Sequence, residues 1–135
     1  MAERNVLLQY VINQRSEPPR GVRICSDGTV ERPADDNPPP TATEPLEKDR
    51  ALNWIDVQVL TGEQVETIRE AIRSSGIFDL PPRLLINYCK EDPGTAVWTV
   101  NLDGQSARIV VYDPRPRRSA EIDQLNQAIN AVLTP

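Results

Sequence analysis

Apolar and polar residues alternate in several short segments of the chain, and two stretches of helical spacing lie among them. From Asn5 to Asn13, Val6, Leu8, Tyr10 and Ile12 fall on one side and Leu7, Gln9 and Val11 on the other, which predicts a strand. Arg15 to Arg20, with Pro18 and Pro19, reads as a connecting loop. Gly21 to Glu31 then has the form of a hairpin about a two-residue Asp27-Gly28 turn, a pair suited to the positive φ angles of a type I′ turn. In Trp54 to Leu60, Ile55, Val57 and Val59 alternate with Asp56 and Gln58, which predicts a half-buried strand.

The clearest strand pattern surrounds Asp103-Gly104. A two-residue turn there pairs Leu102 with Gln105, Val100 with Ala107, Trp98 with Ile109 and Ala96 with Val111 on one apolar face. Thr99 with Arg108 and Asn101 with Ser106 fall on the other. The polarity of that second face predicts a sheet covered on one side only.

The first helix is punctuated at both ends. Thr61 is a good N-cap, Gln64 stands where its amide reaches back to the cap, and Leu60 and Val65 form the flanking hydrophobic staple. Gly76 supplies a left-handed stop and brings Ile77 back toward Ile72. The helix is therefore about 14 residues, roughly 21 Å long. Val65, Ile68, Ala71 and Ile72 face inward, while Glu63, Glu66, Arg69, Glu70 and Arg73 face water. Phe78 and Leu80 wedge beneath its end and Pro81-Pro82 prevents continuation. Arg83 to Gly94 is mostly coil, although Leu84, Leu85 and Ile86 form a short apolar run. A second helix starts near Ser119 and carries Ile122, Leu125, Ile129, Val132 and Leu133 on one stripe.

These elements predict one α+β domain over residues 1–135: a single antiparallel sheet of about four to five strands with two helices covering one face. Between about residues 32 and 51 the composition changes. Five prolines and five carboxylates, from Pro33 to Asp49, leave almost nothing apolar to bury, so a solvated, partly extended loop is expected, with a partner-contacting arm as the functional alternative.

Composition narrows the chemistry. With 15 Lys and Arg against 20 Asp and Glu, the net charge of −5 disfavours nucleic acid as a partner. No histidine is present, which excludes a Ser-His-Asp triad, a Cys-His dyad and histidine-ligated zinc. Neither an EF-hand loop nor a glycine-rich phosphate loop occurs. The expectation is a protein without catalytic activity or cofactor, an enzyme built on carboxylates being the third-ranked reading. The N-terminal residues lack a signal-peptide pattern and no apolar run approaches a membrane span, so membrane insertion is not expected and a cytoplasmic setting is. There, Cys25 and Cys89 read as small buried apolar residues rather than a disulfide.

Five positions stand out as candidates for partner binding. Arg115, Arg117 and Arg118 form a basic cluster between prolines, read first as a solvated linker and second as a docking segment. Trp54 is an interface anchor if it points outward and a core residue otherwise. Asp92 sits in a turn, Asp92-Pro93-Gly94.

The order strand, hairpin, strand, capped helix, hairpin, helix resembles a family of small bacterial proteins related to emfourin, a protein inhibitor of thermolysin-like metallopeptidases. The resemblance rests on the Gly76-Ile-Phe-Asp-Leu-Pro81 helix exit, the Trp98-Thr-Val100 strand followed by Asp103-Gly104, and the closing Leu125-to-Leu133 helix, and it covers residues 21–133. It implies a four-stranded antiparallel sheet covered by helix, and it carries over that scaffold without a reactive site, no inhibitory residue matching position by position. The leading expectation is a noncatalytic protein-binding domain, an inhibitor of a zinc metallopeptidase being one form of it, in which a loop would enter the substrate groove with a carboxylate such as Asp92 near the metal. The family's early glycine-glycine-aromatic segment is absent, Gly21-Val22-Arg23 standing in its place, and the acidic proline loop is an insertion. The alternative is a structural or accessory subunit of a larger protein assembly.

Overall fold

A computed structural model of the chain describes residues 5–14, 17–41, 45–46, 51–85, 95–112 and 120–133. Strands β1 (Val6–Gln14), β2 (Glu17–Cys25), β3 (Thr29–Pro33) and β4 (Trp54–Val59) precede helix α1 (Gly62–Ser75). A 3-10 turn at Ile77–Asp79, the short strand β5 (Arg83–Leu85), the hairpin β6 (Thr95–Leu102) and β7 (Gln105–Tyr112), and helix α2 (Ala120–Leu133) complete the order.

All seven strands form one sheet in the order β4-β3-β2-β1-β6-β7-β5. Six of them pair antiparallel, so the sheet is wider than the expected four to five strands. The seventh, β5, lies parallel to β7 where coil was expected. Length separates expectation from outcome here, because three residues of backbone pairing leave no periodic trace in a sequence.

The register of β6 and β7 matches the alternation pair for pair, from Leu102 opposite Gln105 to Ala96 opposite Val111. Asp103 and Gly104 both take positive φ, 52° and 79°, as a type I′ turn requires. The first hairpin differs. Ile24 pairs with Val30 and Arg23 with Glu31, leaving Ser26, Asp27 and Gly28 as a three-residue turn. The Gly28 amide donates to the Cys25 carbonyl at 3.0 Å, and Gly28 itself takes the left-handed position at φ 95°. Asp27 caps the turn by accepting from the Thr29 amide at 2.9 Å, a local bond that competes with the two-residue alternative. Pro18 and Pro19, expected in a loop, belong to β2. They sit between the pairs Ile12–Arg20 and Gln14–Glu17, where the register shifts and ladder donors are not required.

Both helices pack on the same side of the sheet. Val65, Ile68 and Ile72 of α1 and Ile122, Leu125 and Ile129 of α2 meet Leu8, Val22, Ile24, Val30, Trp98, Val100, Ile109 and Val111 in one buried cluster. The capping box is present: the Gln64 amide donates to Thr61 Oγ1 at 3.1 Å, and Gln64 Oε1 accepts from the Thr61 amide at 2.9 Å. Gly76 stops the helix at φ 76°.

The face away from the helices is not left to water. Val11, Val97 and Val110, neighbours across three strands, are at most 8% exposed and stand outside the helix-side cluster. The acidic loop reaches this face. Asn13, buried beside them, donates from Nδ2 to the Leu46 carbonyl at 2.9 Å. The base of the loop is clipped shut: Asn37 donates to the carbonyls of Ala34 and Asn53 and accepts from the Asn53 amide, all within 2.9 Å. Asn37 and Pro40 are buried. Where the loop is described, Asn37, Pro40 and Leu46 touch the domain while Asp35, Asp36, Pro38, Pro39, Thr41 and Pro45 stay exposed.

Candidate functional site

Strand β4 is the outermost strand at one end of the sheet. Its sequence alternates, but its pairing does not. Gln58 faces Val30, whereas Asp56 faces Glu31, so Val57 is an extra residue in a β-bulge. The bulge splits the apolar set: Ile55 pairs with Arg32 on the helix side and Val59 with Thr29 on the other. The half-buried strand expected from alternation is consequently an exposed one, with Ile55, Val57 and Val59 51%, 46% and 73% exposed. What the three share is the edge. Among the described residues no further strand pairs with it.

Behind this edge lies a charged array that holds β2, β3 and β4 in place. Arg23 on β2 makes a two-pronged contact with Glu31 on β3, Nε and Nη2 each 3.0 Å from a carboxylate oxygen. Glu31 is only 6% exposed, and this pairing offsets the cost of burying its charge. The Cys25 thiol donates to the same carboxylate at 3.4 Å. Burial, and next the bond to Glu31, pushes the Cys25 thiol up to about 11, so at neutral pH it is protonated and a poor nucleophile.

Trp54 completes the array. Its ring lies under the Arg23 guanidinium, with Cζ 4.3 Å from the ring centroid. It is half-buried and absent from the helix-side core. Its indole braces the inner side of the edge strand. Asp92, Arg115, Arg117 and Arg118 lie outside the described residues, as does Cys89.

Elsewhere, an open cleft of about 290 Å³ lies between the start of β1, the β2–β3 turn and the β6–β7 turn. Its central amide is committed to structure: Asn101 donates to the Val6 carbonyl at 3.0 Å and accepts from Ser106 Oγ at 2.7 Å. Asp103 at its rim accepts from Arg73. Among its described lining residues no acid and base converge.

Among the described residues no cluster of histidine, cysteine and carboxylate side chains is disposed to hold a metal ion, and no helix is long and apolar enough to cross a membrane. Comparison with protein-family models, with curated proteins and with solved structures gave no match.

Proposed function

We propose that the chain is a noncatalytic protein-binding domain that engages its partner along the outer edge of β4. The exposure of Ile55, Val57 and Val59 on that edge carries the reading. Natural sheets commonly blunt their edges with lysine, proline, bulges or very short strands; β4 carries a bulge and one carboxylate yet keeps three exposed apolar side chains, and such an edge can take an added strand from another chain. The absence of histidine and the suppressed reactivity of Cys25 weigh on the same side, since both remove common routes to catalysis.

Site-specific photo-crosslinking tests this. A photoreactive phenylalanine analogue replacing Val57 should capture protein in extract of the source cells, whereas the same group replacing Thr67, exposed on α1, should not. Equal capture at the two positions, or none at Val57, would overturn the reading. The metallopeptidase-inhibitor form of the proposal rests on the emfourin-like resemblance. Assays of the intact protein against thermolysin-like enzymes decide it, and failure to inhibit any leaves an assembly subunit as the form to pursue.

A further inference from the structure

We propose that the element docking on β4 is an extended, basic segment of a different protein, bearing apolar side chains interspersed with lysine or arginine. The inference rests on β4 being the docking edge and identifies what fits there. Charge decides between occupants. Asp56 lies within the strand, Glu63 stands in the first turn of α1 just beyond it, and Asp35 and Asp36 stand at its other end, where the Ala34 amide bonds the Asn53 carbonyl. All four carboxylates are exposed. Among the described residues, Arg32 on β3 is an exposed cation nearby, and Arg23 is committed to Glu31 and Trp54.

A second copy of the chain would bring the same acidic edge against itself, and each copy carries a net charge of −5. Like charges juxtaposed at an interface select against a partner, while opposite ones favour it. The bulge at Val57 works in the same direction, because a kinked edge with broken alternation does not offer two identical strands a long, flat register. A short extended segment can pair on either side of the bulge. Since Ile55 and Val59 flank opposite faces of the sheet, it would meet apolar surface on both.

The test uses the intact chain and three peptides: Lys-Val-Val-Lys-Val-Val-Lys, its counterpart with glutamate at every lysine, and the basic peptide with alternate backbone nitrogens methylated. Calorimetric titration should show the basic peptide binding roughly tenfold or more tighter than the acidic one, and weakening as salt is raised. Methylation should abolish binding, because it removes the donors that pair with the edge. Val57→Lys should do the same, and the double variant Asp56→Asn, Glu63→Gln should weaken binding several-fold.

Equal affinity for the acidic peptide, or binding that survives both methylation and Val57→Lys, would overturn the inference. Sedimentation supplies the remaining distinction. Concentration-dependent doubling of the 15.1 kDa mass, lost in Val57→Lys, would assign the edge to a second copy and overturn the basic-partner inference while sparing the docking edge itself. Crosslinks at Val57 without peptide binding would do likewise, and neither crosslinks nor binding would remove both.

Discussion

The amide of Leu60 donates a hydrogen bond to the carbonyl of Gly28 at 2.8 Å, tying the last residue before the α1 cap to the turn between β2 and β3. This one bond fixes where the exposed edge strand ends and the helix begins. It depends on glycine. A Cβ at position 28 would stand 2.6 Å from the Leu60 carbonyl oxygen, and φ is 95°. Gly28→Ala is expected to cost about 1–3 kcal/mol from backbone strain alone, with displacement of Leu60 adding to it. Urea unfolding checks this against Gly62→Ala, where no atom lies within 4 Å of the added Cβ and stability should hold or rise.

Asn37 does for the acidic loop what Gly28 does for the helix. With three hydrogen bonds across the loop base and 4% exposure, its amide closes residues 34 to 53. Asn37→Ala leaves the Asn53 amide without that acceptor and should cost roughly 1–3 kcal/mol. Its sharper signature is local: limited proteolysis should cut between Pro38 and Arg50 in the variant well before global unfolding.

The exposed apolar residues of β4 contribute little to the fold itself. Val57→Lys and Val59→Thr are each expected to change stability by no more than about 0.5 kcal/mol. Thermal denaturation of both variants checks this. A large loss in either would mean that the residue packs inside the domain, which its exposure contradicts.

Elements specified by neighbours in sequence were legible in advance. The Thr61–Gln64 capping box, the Gly76 stop and the six β6–β7 pairs read from the alternation follow from local patterns, and the structure contains them all. Features specified by distant partners were not. Nothing within Trp54 to Val59 announces that β3 imposes a bulge on it, so a residue set that alternates like a buried strand ends up exposed. Trp54 was identifiable as unusual, but its ring partner Arg23 lies two strands away. The burial of Val11, Val97 and Val110 was hidden for the same reason: the polar neighbours Thr99 and Arg108 suggest a wet face, and the loop that approaches it looks too acidic to fold back.

Arg73 in the last turn of α1 donates to Asp103 in the β6–β7 turn at 3.1 Å and also pairs with Glu66 and Glu70. The hydrogen bond from Arg73 holds the Asp103 carboxyl below its ordinary range, and bonds from Arg69 and Arg73 do the same for Glu66. A lowered folded-state value means that the stabilisation is present above the unfolded pKa and is lost as pH falls through the folded one. These groups are exposed, so the effect should be small and screened by salt. Carboxyl titration by NMR should find Asp103 below a normal aspartate, and Arg73→Gln should return it upward.

Cys25 gives the opposite pH dependence. Its thiol is 1% exposed and bonded to Glu31, and burial raises its titration to about 11. Because the folded value lies above the unfolded one near 8.5, the contribution is complete below about pH 8.5 and is lost as pH climbs toward the folded value. At pH 10 the loss should be roughly 1–2 kcal/mol. Other groups titrate in this range, so the diagnostic is a difference in slope: stability against pH between 8 and 10.5 should fall more steeply in the parent than in Cys25→Ala, whatever the variant's baseline. In a Cys89→Ser background, thiol-reactive dye should modify the folded protein at pH 8 far more slowly than the urea-unfolded chain. Rapid modification in the folded state would show that Glu31 and the surrounding strands do not seal the thiol.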